Sequence, residues 1–337
     1  MNWSNEEYKL VELLTRLVDI PSPTGKEGKI GEYLEGLLID MGLKVSRQDV
    51  SRGRFNLLAT VGETSRVLLC THMDTVLPHL PSSQSGEHIY GRGACDAKGS
   101  MAAMISAVER VLGSGSVEPG LLFVVGEEKD SDGARKAAQL SQNVDYIILG
   151  EPTDGKIATG QKGTIVFKAE VSGKAAHSAC PEQGSSAVHA LAQLLNQWIL
   201  LDWGADPILG PNTLNIGRIE GGLGHNVIAE RAVAEGIFRI GSSSAAVKER
   251  LLDFENDDVS IEVLSSSEPM HLHVPKGLDT TIASFGSDAP YLKSLGEVIM
   301  VGPGSIQYAH GPDEQVTVDQ LVSARDLYVI LLEQLSA

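Results

Sequence analysis

The 337-residue chain carries 27 basic and 44 acidic side chains, which gives a formal net charge of −17 at pH 7. Nucleic acids and anionic membranes attract basic protein surfaces, so this charge balance argues against both as partners. Hydrophobic residues make up 42% of the chain and charged residues 21%, as is ordinary for a globular protein with a substantial core. Three widely separated cysteines, Cys70, Cys95 and Cys180, predict free thiols and not a disulfide framework.

The N-terminal segment predicts two helices. A capping-box pattern, Ser4 with Glu7, precedes apolar residues at helical spacing, and the pair Thr24 with Glu27 repeats this pattern before a second apolar series. The first segment is acidic and amphipathic, unlike a signal peptide, and no window reaches the roughly 20 apolar residues of a membrane span. We therefore expect a cytoplasmic protein.

Residues 43–150 alternate between strand and helix patterns, as the chain of an α/β sheet does. The patterns predict strands at 43–49, 54–61, 66–72, 121–126 and 144–150, and helices at 98–112 and 131–140. Residues 73–90 are polar and without a clear period, which predicts a loop that shapes a pocket.

The pattern changes at about residue 160. Polar alternation predicts strands at 163–173, 213–220, 226–240 and 259–264, and helices at 184–200 and 245–254. Such a set favours a small α+β unit with one sheet face covered. The earlier pattern then returns with the strand EVIMVGPG at 297–304 and a closing helix at 315–335. We predict a discontinuous larger domain, 1–160 and 272–337, that carries an inserted domain at 161–271.

Acidic side chains follow the apolar strand runs of the larger domain. Glu127 and Glu128 come after the run at 121–125, and Glu151 follows the run at 146–149. The ligand crevice of an open α/β sheet lies beyond the carboxyl ends of its strands, so these acids are expected to face a site. Clustered carboxylates repel one another unless a cation lies among them. The pattern therefore predicts a metal site.

Imidazole ligands for such a metal occur on both sides of these acids along the chain. His72 and Asp74 end another apolar strand run, Asp96 lies in a glycine-containing turn, and His310 lies near the C-terminus. One imidazole and one carboxylate per zinc, with a further carboxylate bridging two zincs, is ordinary chemistry for a hydrolytic site. The ordered set that predicts this site is His72, Asp96, Glu127, Glu128, Glu151 and His310.

Six motifs resemble those of the di-zinc amidohydrolases, the family of acetylornithine deacetylase, succinyl-diaminopimelate desuccinylase and carboxypeptidase G. They are HMDTV at 72–76, GRGACDAKG at 91–99, GEEKDSDGA at 126–134, GEPT at 150–153, GKAAHSACPEQGSSAV at 173–188 and GPGSIQYAHGPDE at 302–314. The resemblance spans nearly the whole chain in the order of the family. It implies an α/β, zinc-exopeptidase-like catalytic domain with a mixed central sheet flanked by helices, and an inserted α+β dimerisation or lid domain.

The resemblance also implies how two Zn²⁺ ions, for which Co²⁺ can substitute, are held. Asp96 would bridge the two metals. His72 and Glu151 would complete one site, and Glu128 and His310 would complete the other.

For the reaction itself, the resemblance implies three further roles. Glu127 would be the general base that takes a proton from the bridging water. Asp74 would orient the imidazole of His72, since a histidine ligand usually donates its other N–H to a carboxylate. His177 would reach into the active site of a homodimer partner and polarise the scissile carbonyl.

Substrate contacts are implied for Asn226 and Arg239, at positions where relatives contact the carbonyl or the α-carboxylate of the substrate. The chain departs from the family pattern at Ala229 and Ile237, which leaves the role of Arg239 open although a planar guanidinium remains a good carboxylate clamp. Two glycines would let the backbone approach the ligand closely: Gly302 and Gly304.

The stretch GRFNLLATVG at 53–62 and two of the motifs above look most like acetylornithine deacetylase. They predict a zinc-dependent hydrolase of arginine biosynthesis that cleaves the amide bond of an N-acyl amino acid such as N-acetylornithine. The loop at 77–88 lacks the tryptophan and the Pro-Phe pair common in relatives. A succinylated diamino acid, a peptide cleaved by a dipeptidase or carboxypeptidase, or lysine on a carrier protein therefore remain alternatives. A different class, a metal-dead binding or scaffold protein, also remains open.

Overall fold

The structure is a computed structural model that describes residues 4–114, 117–141 and 144–336. Its helices are α1 (Asn5–Asp19), α2 (Gly28–Asp40), α3 (Lys98–Ser114), α4 (Asp132–Ala137), α5 (Ala187–Leu200), α6 (Ser244–Leu252), α7 (Ala289–Leu292) and α8 (Val318–Ser336). In this part of the chain, no helix is both long and apolar enough to pass through a membrane.

The strands fall into several sheets, and together with the helices they confirm the predicted mixed α/β fold. They are β1 (Lys44–Ser51), β2 (Arg54–Thr60), β3 (Val67–His72), β4 (Ser83–Ser85), β5 (His88–Tyr90), β6 (Gly120–Val124), β7 (Tyr146–Leu149), β8 (Ile157–Gln161), β9 (Gly163–Ser172), β10 (Ala205–Asp206), β11 (Gly210–Pro211), β12 (Thr213–Gly221), β13 (Arg231–Ile240), β14 (Val259–Ser267), β15 (Met270–His271), β16 (Thr280–Ala283), β17 (Glu297–Met300) and β18 (Gln315–Thr317).

The chain divides into two compact units. Unit 1 comprises Met1–Ala158, Leu272–Thr281 and Ser287–Ala337. Unit 2 comprises Thr159–His271 and Ile282–Gly286.

Unit 1 is built on a six-stranded mixed sheet with the order β1-β2-β6-β3-β7-β17. Strands β6, β3, β7 and β17 run parallel, whereas β1 and β2 pair antiparallel at one side. His72 at the end of β3 lies opposite Val124 of β6, and Cys70 of β3 lies opposite Leu149 of β7. The carboxyl ends of these strands therefore meet at one edge, and the segments that follow them lie side by side.

The core of unit 1 explains why its central strands form. Every residue of β3 and β6 is buried, as expected for strands covered on both faces of a sheet. Helix α3 packs against both strands and also contacts α1 and α8. On α8 the Tyr328 hydroxyl donates a hydrogen bond of 2.8 Å to the carbonyl of Val301, which ties this helix to the segment that follows β17.

Unit 2 contains a four-stranded antiparallel sheet with the order β12-β13-β9-β14. Burial alternates along β9, where Ile165, Phe167, Ala169 and Val171 are buried in a core with residues of α5 and α6. The ring of Trp198 on α5 packs edge-on against Phe167 at 5.5 Å between centroids. This alternation is typical of a sheet with one face covered by helices.

The two helix starts predicted at the N-terminus differ in outcome. The Ser4 and Glu7 capping box is present and begins α1 as predicted. The second prediction was wrong, because α2 begins at Gly28 without a side-chain cap. The Thr24 hydroxyl instead donates to Asp74 and the Glu27 carboxylate accepts from Arg54, so tertiary partners replace the local cap.

The segment at 73–90 is not entirely the loop that its sequence predicts. It contains β4 and β5, which pair with each other and, through β5, with β18. These strands are only three residues long, so their alternation is too short to detect from sequence. The three cysteines are free thiols, as predicted.

Candidate active site

Asp96 lies between two histidines at the carboxyl edge of the unit 1 sheet. Its Oδ1 is 3.1 Å from Nε2 of His72, and its Oδ2 is 3.3 Å from Nε2 of His310. The same His310 nitrogen lies 3.0 Å from Oε2 of Glu128. Each oxygen of one carboxylate therefore faces a different imidazole.

Two overlapping groups of side chains could each hold a metal ion. One is His72, Asp96 and Glu151, and the other is Asp96, Glu128 and His310. Within each group the potential ligand atoms all lie within 4.8 Å of one another. Asp96 is common to both groups, so the arrangement can hold a pair of metals bridged by one carboxylate.

Buried oxygens without partners test whether a cation fits this cluster. Among the described residues, Oε1 of Glu128 and Oε1 of Glu151 are buried without a hydrogen-bond partner. Leaving a charged oxygen buried and unpaired is costly, and coordination to a divalent cation would satisfy both atoms. Imidazole and carboxylate donors in these numbers suit Zn²⁺. The residues present therefore fit a metal pair.

The ring of His72 is oriented for coordination through Nε2. Its Nδ1 lies 2.9 Å from the backbone carbonyl of Asp74, so Nδ1–H donates to that oxygen and Nε2, which faces Oδ1 of Asp96, is the ring atom that a metal could bind in place of a proton. The carboxylate of Asp74 is farther away, with Oδ1 at 3.5 Å from Nδ1. The expected orientation of His72 by Asp74 thus involves chiefly the carbonyl of that residue.

The carboxylate of Asp74 holds the turn that carries the two adjacent glutamates. Its Oδ1 accepts the backbone N–H of Glu127 at 3.1 Å, and its Oδ2 accepts that of Glu128 at 3.2 Å. The hydroxyl of Thr24 donates to Oδ2 at 2.8 Å. Burial opposes ionisation of Asp74, but His72 and the hydrogen bonds from Thr24 and Glu128 lower its pKa below the usual value. Asp74 is therefore held as an anion beside the turn.

Charges within the cluster shift several pKa values. Hydrogen bonds to Asp96 and Glu128 raise the pKa of His310 to about 10. Burial opposes ionisation of Asp96, but hydrogen bonds from His310 and His72 lower its pKa below the usual value. Burial raises the pKa of Glu127 well above its ordinary value, with nearby carboxylates adding to the effect. Cations are thus favoured between the acids, as a metal-binding cluster requires.

Asp288 is an additional acid that the sequence did not bring into the predicted site. It is almost fully buried and precedes α7, and burial raises its pKa to about 7. Its charge in turn contributes to the raised pKa values of Glu127 and Glu151. The segment SFGSDAP at 284–290 contains the acid, but only burial distinguishes it from a surface aspartate.

The two glycines predicted to contact substrate also have close neighbours within unit 1. A Cβ at Gly302 would lie 2.5 Å from the carbonyl of Glu151 and 2.5 Å from the hydroxyl of Ser100. Gly304 has φ +79°, and a Cβ there would lie 2.5 Å from that of Cys95. Both positions therefore need glycine so that the segment after β17 can pack beside the segments carrying Glu151 and Asp96.

His177 and Asn226 lie on adjoining exposed segments of unit 2. The N–H of Ser178 donates to the carbonyl of Asn226 at 3.0 Å, and the backbone of His177 pairs with that of Val227 in an isolated antiparallel β-bridge. The backbone N–H of Ala179 donates to Nδ1 of His177 at 3.1 Å. A neutral imidazole that accepts at Nδ1 carries its proton on Nε2. The ring can therefore donate a hydrogen bond from Nε2.

Arg239 lies on β13 of unit 2, opposite Thr213 of β12 and Thr164 of β9. Its guanidinium is partly buried, and burial lowers its pKa. In the portion of the chain that the structure describes, no acid forms an ion pair with it. An arginine in this state can bind a carboxylate from outside the chain.

Comparison with known proteins places these features in a family. Residues 68–334 match the model of peptidase family M20/M25/M40. A peptidase M20 domain-containing protein of Schizosaccharomyces pombe is 38% identical over 332 residues, covering 95% of this chain and 83% of that protein. A probable carboxypeptidase of Aspergillus clavatus is 34% identical over 359 residues, covering 94% of this chain and 86% of that protein.

Solved structures share the fold. A tripeptidase of Staphylococcus aureus superposes with a TM-score of 0.81 at 22% identity, covering 98% of each chain. A Bacillus subtilis protein described as a dinuclear metal binding peptidase of the M20 family gives a TM-score of 0.68 at 18% identity, covering 97% of this chain and 99% of that one. The family model and the relatives establish the assignment: the chain is a member of the M20/M25/M40 peptidase family, and thus of a family of metal-dependent hydrolases.

Proposed function

We propose that this protein is a two-metal hydrolase that cleaves the amide bond of a short peptide bearing a free α-carboxylate, as a dipeptidase or carboxypeptidase does. The observation that carries the proposal is the pair of ligand groups that share Asp96. The names of relatives, which include probable carboxypeptidases, support a peptide as substrate. The chain keeps every proposed ligand and the proposed base, which argues against a metal-dead scaffold.

The proposed metals are two Zn²⁺ ions, with Co²⁺ as a substitute. His72 and Glu151 would hold one, Glu128 and His310 the other, and Asp96 both. When bound, the metal pair supplies Lewis-acid polarisation of the scissile carbonyl and lowers the pKa of the attacking water.

Glu127 is the proposed general base. Glu127 belongs to neither ligand group, whereas its neighbour Glu128 belongs to one. The carboxylate of Glu127 would therefore lie near the metals without coordinating them. Asp74 fixes the backbone of this turn. In the proposed reaction Glu127 takes a proton from the attacking water and then gives it to the leaving amine.

His177 is the proposed oxyanion donor. Its Nε2–H is free to donate because Nδ1 accepts the N–H of Ala179. We propose that it acts on the active site of the second subunit in a homodimer, with residues 1–160 and 272–337 as the catalytic domain and 161–271 as the dimerisation and lid domain. Exposed apolar side chains of unit 2 support a protein contact there: Ile199, Leu200, Ile219 and Leu223.

Arg239 is the proposed clamp for the α-carboxylate of the substrate, and Asn226 the proposed contact of its carbonyl. The guanidinium is partly desolvated and has no acid partner in the described residues, so a substrate carboxylate can satisfy it. The same clamp would accept an N-acyl amino acid. N-acetylornithine therefore stays as the second candidate substrate, on the strength of this shared carboxylate.

The test is amine release by the Zn²⁺- or Co²⁺-loaded protein from dipeptides, tripeptides and N-acetylornithine, with a chelator control. Each peptide is paired with its C-terminal amide, which removes the carboxylate and little else. We expect chelator-sensitive turnover of at least one free-acid peptide with kcat above about 1 s⁻¹, and weak turnover of the amide. Turnover of N-acetylornithine but of no peptide would show that the protein is a deacetylase and not a peptidase. Chelator-insensitive turnover would contradict the two-metal mechanism.

A further inference from the structure

A buried ion pair joins the two segments that carry Asp96 and His310. Arg92 and Glu314 are almost fully buried, and Nη1 of Arg92 lies 2.5 Å from Oε2 of Glu314. Neither residue belongs to a group of potential metal ligands. A buried ion pair adds little stability relative to apolar residues of similar size. The role of this pair is therefore sought in the backbone groups that it holds in place.

The second carboxylate oxygen of Glu314 accepts hydrogen bonds from the backbone around Asp96. Oε1 accepts the N–H groups of Gly93 at 2.9 Å, Asp96 at 3.2 Å and Cys95 at 3.3 Å. Three donors on one oxygen fix the turn that aims the Asp96 carboxylate, because rotation of any of these peptide units would leave a buried donor unpaired.

Arg92 performs the corresponding task for the segment of His310. Its Nη2 donates to the carbonyl of His310 at 3.3 Å and its Nη1 to that of Gly311 at 3.3 Å. His310 has φ +64°, in the left-handed region that non-glycine residues rarely adopt. Its side chain is 52% exposed, so side-chain packing gives limited support to this conformation. The hydrogen bonds from Arg92 therefore supply restraint at this strained position.

We propose that Arg92 and Glu314 are positioning residues for the second metal position, formed by Asp96, Glu128 and His310. The pair holds the backbone of two of its three ligands. The first position depends less on the pair, since its other ligands are held by the central sheet: His72 ends β3, and Glu151 lies two residues after β7. The inference rests on the proposed two-metal site and predicts that the affinities of the two positions can be separated.

The test is titration of the metal-free protein with Co²⁺, followed by calorimetry and by visible absorption, for the wild type and R92K. Lysine keeps the charge facing Glu314 but lacks the fork of donors that reaches the carbonyls of His310 and Gly311. We expect the second Co²⁺ to bind about 10–100-fold more weakly and the first to bind as in the wild type. The matched control is R325K, another buried arginine of unit 1, whose ion pairs are with Glu6 and Asp326. It should leave both affinities unchanged.

E314Q provides a second variant should R92K fail to fold. The amide keeps one oxygen for the three N–H groups but replaces the oxygen that faces Arg92 with a donor, so the second position should again weaken selectively. Equal weakening of both positions, or no weakening in a folded variant, would overturn the inference while the wild type still binds two metals. A wild type that binds fewer than two metals would overturn both this inference and the proposed function.

Discussion

Replacing Glu127 with glutamine separates metal binding from catalysis. The glutamine side chain has nearly the same shape but cannot accept the proton of the attacking water at neutral pH. The backbone N–H that Asp74 accepts at 3.1 Å does not depend on this side chain, so the turn should stay in place. Because Glu127 belongs to neither ligand group, E127Q should still bind two metals.

The expected magnitude follows from the role of the carboxylate. A positioned general base contributes about 10²–10⁴-fold to the rate. At about 1.4 kcal/mol for each factor of ten, this range corresponds to about 3–6 kcal/mol in activation free energy. The loss should appear in kcat, since Glu127 is proposed to act on the reacting water and not on the substrate carboxylate.

Initial rates with the best free-acid peptide and elemental analysis of the dialysed protein would check both parts. The matched control is E128Q, which removes a proposed ligand one residue away and should lower the metal content. A wild-type kcat in E127Q with two metals bound would rule out Glu127 as the base. Loss of a metal from E127Q would instead assign this side chain to the ligand set.

Three further predictions concern other groups. H177A should lower kcat by about 10²–10³-fold through loss of an oxyanion donor, with metal content unchanged in elemental analysis; an unchanged kcat would exclude His177 from the mechanism. D96N should weaken both metal positions in calorimetry, whereas E151Q should weaken one, and equal behaviour of the two variants would contradict the bridging role. In the metal-free protein, His310 has a pKa raised from 6.5 to about 10, so its stabilising effect is complete below pH 6.5 and is lost as pH rises through 10. Urea unfolding in chelator should show this loss, H310Q should lack its contribution, and identical pH profiles would refute it.

The sequence located the candidate ligands because they follow buried strands, and buried strands are readable from short apolar runs. His72 and Glu151 each lie just after or at the end of such a run, and parallel pairing brings those ends together. The Thr24 and Glu27 pattern wrongly predicted a side-chain cap for α2, because these two residues bind distant parts of the chain. It describes a local cap, but the Thr24 hydroxyl found a carboxylate 50 residues away, and distant partners are invisible to a four-residue motif.

Sequence patterns could not identify the residues whose roles depend on their burial in the folded chain. Asp288 is one acid among many until packing removes it from water. Arg92 and Glu314 lie within motifs that the sequence singled out, yet 222 positions separate them, and no periodicity indicates that they meet. Their importance lies in backbone hydrogen bonds, which place few demands on the surrounding sequence.

Strand β3 pairs with β6 on one side and with β7 on the other, and this double pairing restricts insertions and deletions within it. His72 lies opposite Val124, and Cys70 opposite Leu149. Since successive side chains of a strand point to opposite faces, inserting or deleting one residue within β3 would exchange the two faces from that point onward. The imidazole would then turn away from Asp96 even though every residue type had been kept. We therefore expect insertions and deletions to be better tolerated at exposed turns such as 86–87 than within the central strands.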